Sequence, residues 1–282
     1  MSPHHLPCCS RRLLLPGTVL SLALISSAYS AVIYDADFTV NPTPDMTLNA
    51  GGTPATYGTA GPGGSRALQV IDNSTTGNVI AQIAMSTAGI PTFGTTTPGQ
   101  ETIIFRADMA ITSMTATANN AAIPRLLFRN TTTPSLGFTI GLGLTSAGSN
   151  NLVLFAALGD NALPNASDRV DLANFGTYSA IAADNDTNDA YISIELRYTN
   201  GSSFATVTAR QGSTVLGSGN INSMTGANFS NSNLLVLAAT GTATSGELYV
   251  DNLQVEVIPE PTAGVIAGLA PLAWVLRRKR SR

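Results

Sequence analysis

Glu101-Thr102-Ile103-Ile104-Phe105-Arg106-Ala107-Asp108-Met109-Ala110-Ile111 alternates apolar and polar residues with a period of two. In an extended chain Ile103, Phe105, Ala107, Met109 and Ile111 line one face, which predicts a strand packed on a core. Arg106 and Asp108 share the opposite face and are expected to form a solvated pair. The same period recurs where Ile192, Ile194, Leu196 and Tyr198 alternate with Ser193, Glu195 and Arg197. No run in the body is read as a helix.

Outward from these two runs the texture stays the same. Short apolar segments are separated by clusters of Gly, Pro, Asn, Ser and Thr. Strands are predicted at Val32–Phe38, Ala67–Asp72, Val79–Met85, Glu101–Ile111, Arg125–Arg129, Gly137–Leu144, Leu152–Leu158, Ala190–Tyr198, Ser203–Arg210, Leu234–Ala239 and Glu247–Val257. Leu152–Leu158 and Leu234–Ala239 are apolar on both faces, as central strands covered on each side are. The fold class is therefore all-β, with two antiparallel sheets packed face to face. A parallel β-helix would also produce short strands, but it needs a fixed short repeat, and the sequence has none. Within Glu247–Val257 the apolar phase shifts between Val250 and Leu253, which predicts a bulge at Asp251-Asn252. With this closing segment, Leu248-Tyr249-Val250-Asp251-Asn252-Leu253-Gln254-Val255, the body resembles a concanavalin-like (LamG-like) jelly roll. That resemblance implies that the first and last strands pair, placing Val32–Phe38 beside Glu247–Val257 and Asp35 or Asp37 near Asp251 and Asn252.

The two ends read as addresses. At the C-terminus, Ile258-Pro259-Glu260-Pro261 is followed by the apolar run Thr262–Leu276 and then by Arg277-Arg278-Lys279-Arg280-Ser281-Arg282. As a helix the run would be roughly 22 Å long against a hydrocarbon core of ~30 Å, a shortfall that snorkelling arginines reduce. The basic cluster would remain on the cytoplasmic side as a membrane stop at Arg277, Arg278, Lys279 and Arg280. In its order of elements the tail resembles the PEP-CTERM sorting signal of exported bacterial proteins. The resemblance implies an exosortase-type sorting enzyme as partner, with Pro259, Glu260 and Pro261 as recognition residues, and an association with exopolysaccharide and biofilm.

At the N-terminus, Arg11 and Arg12 precede the apolar run Leu13–Ile25. Ala28 and Ser30 suit cleavage after Ser30. Residues 1–30 are thus read as a signal peptide, 31–257 as the β-sandwich ectodomain and 258–282 as the sorting tail.

Setting both ends aside removes both histidines, both cysteines, the only tryptophan and the only lysine. The body keeps 16 acidic side chains against seven arginines, about nine negative charges, where the whole chain carries −3. Such a surface disfavours nucleic acid. Without His or Cys the body has no Ser-His-Asp triad, thiolate nucleophile or histidine-bound zinc site. Catalysis would have to rest on paired carboxylates, or on hydroxyls helped by arginine. The jelly-roll glucanases carry Glu-x-Asp-x-(x)-Glu on one strand to set two acids ~5 Å apart, and no such run occurs. Glu247 and Asp251 lie four residues apart across the expected bulge.

Two further features bear on ligands. Asp184-Asn185-Asp186-Thr187-Asn188-Asp189 spaces oxygen ligands alternately, with Glu195 eleven residues after Asp184. Asp184, Asp186 and Asn188 are thereby candidate ligands of a structural calcium, although Asp189 stands where a calcium loop needs glycine. The other reading is an acidic hairpin loop, with Arg197 as the partner of Glu195. Tyr57, Phe175, Tyr178 and Phe229 are expected in loops, where they would stack on sugars or plug the ends of the sandwich. The functional expectation is a non-enzymatic, exported cell-surface or matrix protein, membrane-anchored at first. The alternatives are a carbohydrate-binding, lectin-like module with polysaccharide as partner, and a glycoside-active enzyme.

Overall fold

The computed structural model describes residues 30–40, 47–50, 56–72, 78–84, 101–116, 125–130, 137–144, 151–159, 168–177, 191–224, 233–240 and 244–259. Alternating segments become strands that collect into two antiparallel sheets. The first contains β1 (Ala31–Ala36), β3 (Thr56–Ala60), β4 (Arg66–Asp72), β6 (Glu101–Ala116), β11 (Ile192–Thr199), β12 (Phe204–Gln211), β13 (Thr214–Asn222) and β15 (Thr244–Pro259). Its order is β13-β12-β11-β6-β15-β4-β3, with β1 paired to the far half of β15. The second contains β2 (Thr47–Ala50), β5 (Asn78–Ala84), β7 (Arg125–Asn130), β8 (Phe138–Leu144), β9 (Asn151–Leu158), β10 (Arg169–Thr177) and β14 (Asn233–Thr240), in the order β10-β9-β8-β7-β14-β5-β2. The chain is an all-β antiparallel sandwich. Among the described residues the only helical element is a 3-10 turn at Pro62–Gly64.

Every strand expected from the sequence is present, most with slightly shifted ends, and β6 runs on to Ala116. Four strands were not expected: β2, β3, β10 and β13. The first and last strands do pair, from Ala31 opposite Val257 to Ala36 opposite Leu253. The two runs apolar on both faces, β9 and β14, each have a neighbour on both sides.

The sheets meet through the alternating residues. Ile103, Phe105, Ala107 and Met109 of β6 and Ile194, Leu196 and Tyr198 of β11 enter one continuous core. Leu126 and Phe128 of β7, Phe138 and Ile140 of β8, and Leu154 and Ala156 of β9 enter it from the other sheet. Phe128 and Phe138 are cross-strand partners, stacked at 5.3 Å. Phe105 meets both edge-on from the opposite sheet, at 4.8 and 4.9 Å. Edge-on and offset geometries favour the ring quadrupoles, so this triangle fixes how the two sheets sit against each other.

The outward faces differ. On the seven-stranded sheet, Val153, Phe155 and Ala157 of β9 point away from the core and are nonetheless buried. The Arg169 guanidinium lies over the Phe155 ring at 4.4 Å. On the eight-stranded sheet the outward residues of β11 and β12, Phe204 apart, are polar and largely open to solvent. That face is open to a ligand.

Candidate binding face

The register writes the open face as rows crossing the strands. Gln254 of β15, Arg106 of β6, Glu195 of β11, Thr208 of β12 and Ser218 of β13 form one row. Glu256, Ile104, Arg197, Thr206 and Asn220 form the next. A third brings together Asp251, Asp108, Ser193 and Arg210.

Arg106 is the hub. Its Nε donates to Glu195 at 2.8 Å, and one terminal nitrogen donates to Glu256 at 2.5 Å and to Gln254 at 2.9 Å. The sequence-based expectation of an Arg106–Asp108 pair is corrected here. Cross-strand neighbours lie ~5 Å away, and the strands on either side of Arg106 offer it three acceptors, Glu195, Gln254 and Glu256. Arg106 thus reaches sideways, and Asp108 instead accepts from the Asn252 side-chain amide at 2.8 Å. Arg197 does pair with Glu195, at 3.0 Å.

These contacts set the charge states. Partial burial acts to raise the Glu195 pKa, but hydrogen bonds and charge from Arg106 and Arg197 outweigh it, so it falls below the usual carboxylate value. Glu256 is held low by hydrogen bonds from Ser30 and Arg106. For Arg106, burial works downward and the two glutamates prevail, so its pKa rises.

The expected bulge lies between Asp251 and Gln254, with Asn252 at φ 48°. The extra residue exchanges the faces: Leu248 and Val250 before it and Leu253, Val255 and Val257 after it all enter the core. Asp251 is left on the outer side yet only 8% exposed. Its carboxylate accepts from the Asn252 backbone N–H at 2.8 Å. Desolvation pushes its pKa up; the Asn252 bond partly offsets this, and the nearby charges of Asp108 and Asp37 add to the rise. Beside it Ser65 donates to the Tyr191 hydroxyl at 3.0 Å, and Tyr249, Ala110 and Ala67 form a small apolar patch.

These elements surround a depression of about 600 Å³ lined by residues including Asp35, Arg106, Asp108, Glu195, Arg210 and Asn252. Its volume suits a small polar ligand or part of a longer one. The walls offer fixed carboxylate and amide acceptors and guanidinium donors, which can bind hydroxyl groups by multiple hydrogen bonds.

No family model and no curated protein matches this sequence. Among solved structures, the chain is similar to the winged bean acidic lectin complexed with methyl-α-D-galactose. Identity is 10%, the TM-score is 0.48, and the match covers 82% of this chain and 100% of that one. A peanut lectin with a bound peptide matches at 8% identity and a TM-score of 0.47, covering 83% and 100%. An endo-1,3-β-glucanase from Streptomyces sioyaensis matches at 12% identity and a TM-score of 0.41, covering 83% and 97%. At these levels no residue, ligand or activity of those proteins is carried over to this chain.

Of the residues singled out in the sequence, the structure brings Asp35, Asn252 and Glu195 to one depression. Tyr57 and Phe175 lie in strands β3 and β10, not in loops. Tyr178 and Phe229, the calcium candidates Asp184, Asp186 and Asn188, and the export signal up to Tyr29 lie outside the described residues. So do Glu260, Pro261 and the basic cluster Arg277, Arg278, Lys279 and Arg280. Pro259 ends β15, opposite Glu101. Among the described residues no group of three acidic, His or Cys side chains is placed to hold a metal, and no helix is long and apolar enough to cross a membrane. The sequence reading missed Arg106 as a hub because its partners are 89 and 150 residues away.

Proposed function

We propose that this chain is an exported, non-catalytic carbohydrate-binding protein whose binding face is the open side of the eight-stranded sheet. The observation that carries the reading is the depression around Arg106, where carboxylates, amides and guanidinia from five strands converge on one polar surface. Sugars present arrays of hydroxyls, and charged groups held rigidly by each other meet them with little ordering cost. The glutamates tied to Arg106 stay ionised, which suits fixed acceptors and not a proton-donating acid.

Delivery is proposed from the two ends. The signal peptide would be removed after Ser30, and β1 begins at Ala31, so cleavage there leaves every strand whole and takes only the Ser30 hydroxyl bond to Glu256, with Arg106 still holding that carboxylate. The sorting motif starts at Pro259, where β15 stops, so an exosortase-type enzyme would find it next to a finished domain. The protein would be membrane-anchored first and then held at the surface or in an extracellular matrix rich in polysaccharide.

A glycan array probed with the purified chain tests the binding reading, and binding to defined glycans is expected. An array without any binding, from a chain whose melting shows it folded, would contradict it. Mass spectrometry of the surface-located protein tests the sorting reading, since processing removes Arg282 and a simple anchor keeps it.

A further inference from the structure

The open face has a second depression. It measures about 270 Å³ and is lined by Thr102, Arg197, Thr199, Ser202, Phe204, Thr206 and Ile258. Both depressions stand on the same two strands. Glu195 opposite Thr208 borders the first, and Arg197 opposite Thr206 borders the second. The Arg197–Glu195 ion pair, at 3.0 Å, sits at their junction. Arg210, Thr208, Thr206 and Phe204 follow one another along the outer side of β12. At ~3.3 Å per residue they span about 20 Å.

Phe204 is the informative member. Its neighbours Ala205 and Val207 are buried, whereas Phe204 itself is 43% exposed on the polar face. The Ser202 hydroxyl accepts from its backbone N–H at 3.2 Å, which fixes the chain at the start of the strand. Across the sheet Thr102 and Thr199 share a hydrogen bond of 2.7 Å, with Ile258 beyond them. An aromatic plate rimmed by hydroxyls complements a pyranose ring, which has an apolar C–H face and polar edges. The charges lining the two depressions balance: Arg106, Arg197 and Arg210 against Asp35, Asp108 and Glu195. That arrangement gives a polyanion no net attraction.

Resting on the carbohydrate-binding reading, we infer that the two depressions form one track for a linear, uncharged polysaccharide running along β11 and β12. One sugar ring lies on Phe204, and the Arg197–Glu195 pair contacts hydroxyls midway.

The test is calorimetric titration of the full chain, in detergent, with cello-oligosaccharides from disaccharide to hexasaccharide and with oligogalacturonates of matching length. Wild-type affinity is expected to rise with length until about 20 Å is filled. Phe204→Ala should weaken the longer oligosaccharides about tenfold and keep the wild-type melting temperature. Phe204→Tyr should restore the longer-chain affinity, and the oligogalacturonates should bind more weakly throughout. Affinity independent of length, an F204A titration equal to wild type, or tighter binding of the galacturonates would overturn the track while leaving carbohydrate binding intact. If no oligosaccharide binds the folded chain, the track falls together with the reading beneath it.

Discussion

At the scale of single residues, Arg106 and Asp251 make opposite predictions. Glu195 and Glu256 are held below the ordinary carboxylate range. Their contribution is therefore complete at neutral pH, above the carboxylate pKa of the unfolded chain, and is lost as pH falls through their lowered folded values. Arg106 is one-third exposed, so solvent screens the network. Arg106→Met is expected to cost about 1 kcal/mol at neutral pH and much less in acid below the lowered folded pKa values of both glutamates. Urea unfolding at the two pH values checks this, and an equal deficit at both would contradict it. Asp251 is the reverse case, since its pKa is raised and its ionised form is disfavoured in the fold. The cost is present at neutral pH and relieved as pH falls through the raised value. Asp251→Asn keeps an acceptor for the Asn252 N–H. It should therefore raise the melting temperature at neutral pH and leave it unchanged in acid.

At the scale of elements, β10 and β13 show what alternation leaves unwritten. Thr214-Val215-Leu216-Gly217-Ser218-Gly219-Asn220-Ile221-Asn222 reads as a loop by composition, because glycine, serine and asparagine are poor strand formers. It is a strand because β12 supplies its hydrogen bonds and β10 packs against it from the other sheet. The glycines permit that approach. A Cβ on Gly217 would stand 1.8 Å from the Leu172 carbonyl oxygen, and one on Gly219 would stand 2.3 Å from a Val170 methyl. Main chain cannot turn aside as a methyl can. Gly217→Ala is accordingly expected to cost about 3 kcal/mol or more, and Gly219→Ala about 1 kcal/mol. Denaturant midpoints of the two variants decide this, and equal losses would show that the sheets are not closed through this contact. The bulge in β15, by contrast, was legible in the sequence, because one extra residue inverts every later side chain and the apolar phase records it.

At the scale of the whole molecule, the sequence showed a two-sheet sandwich whose open face would be polar. It could not show which polar residues meet. Register is a property of paired strands, and Arg106, Glu195 and Glu256 belong to three strands far apart in the chain. Phe204 was hidden for a related reason: its exposure depends on which face of β12 looks outward, and a single aromatic at a strand start is uninformative until the sheet is assembled. The proposed role of this assembled face is to hold carbohydrate. Its most direct test is a glycan array comparing the wild-type chain with Thr208→Arg, which fills the main depression from an outward position beside Glu195. Glycan binding by the wild type is expected, with its loss in T208R at an unchanged melting temperature. Equal binding by both chains would contradict it.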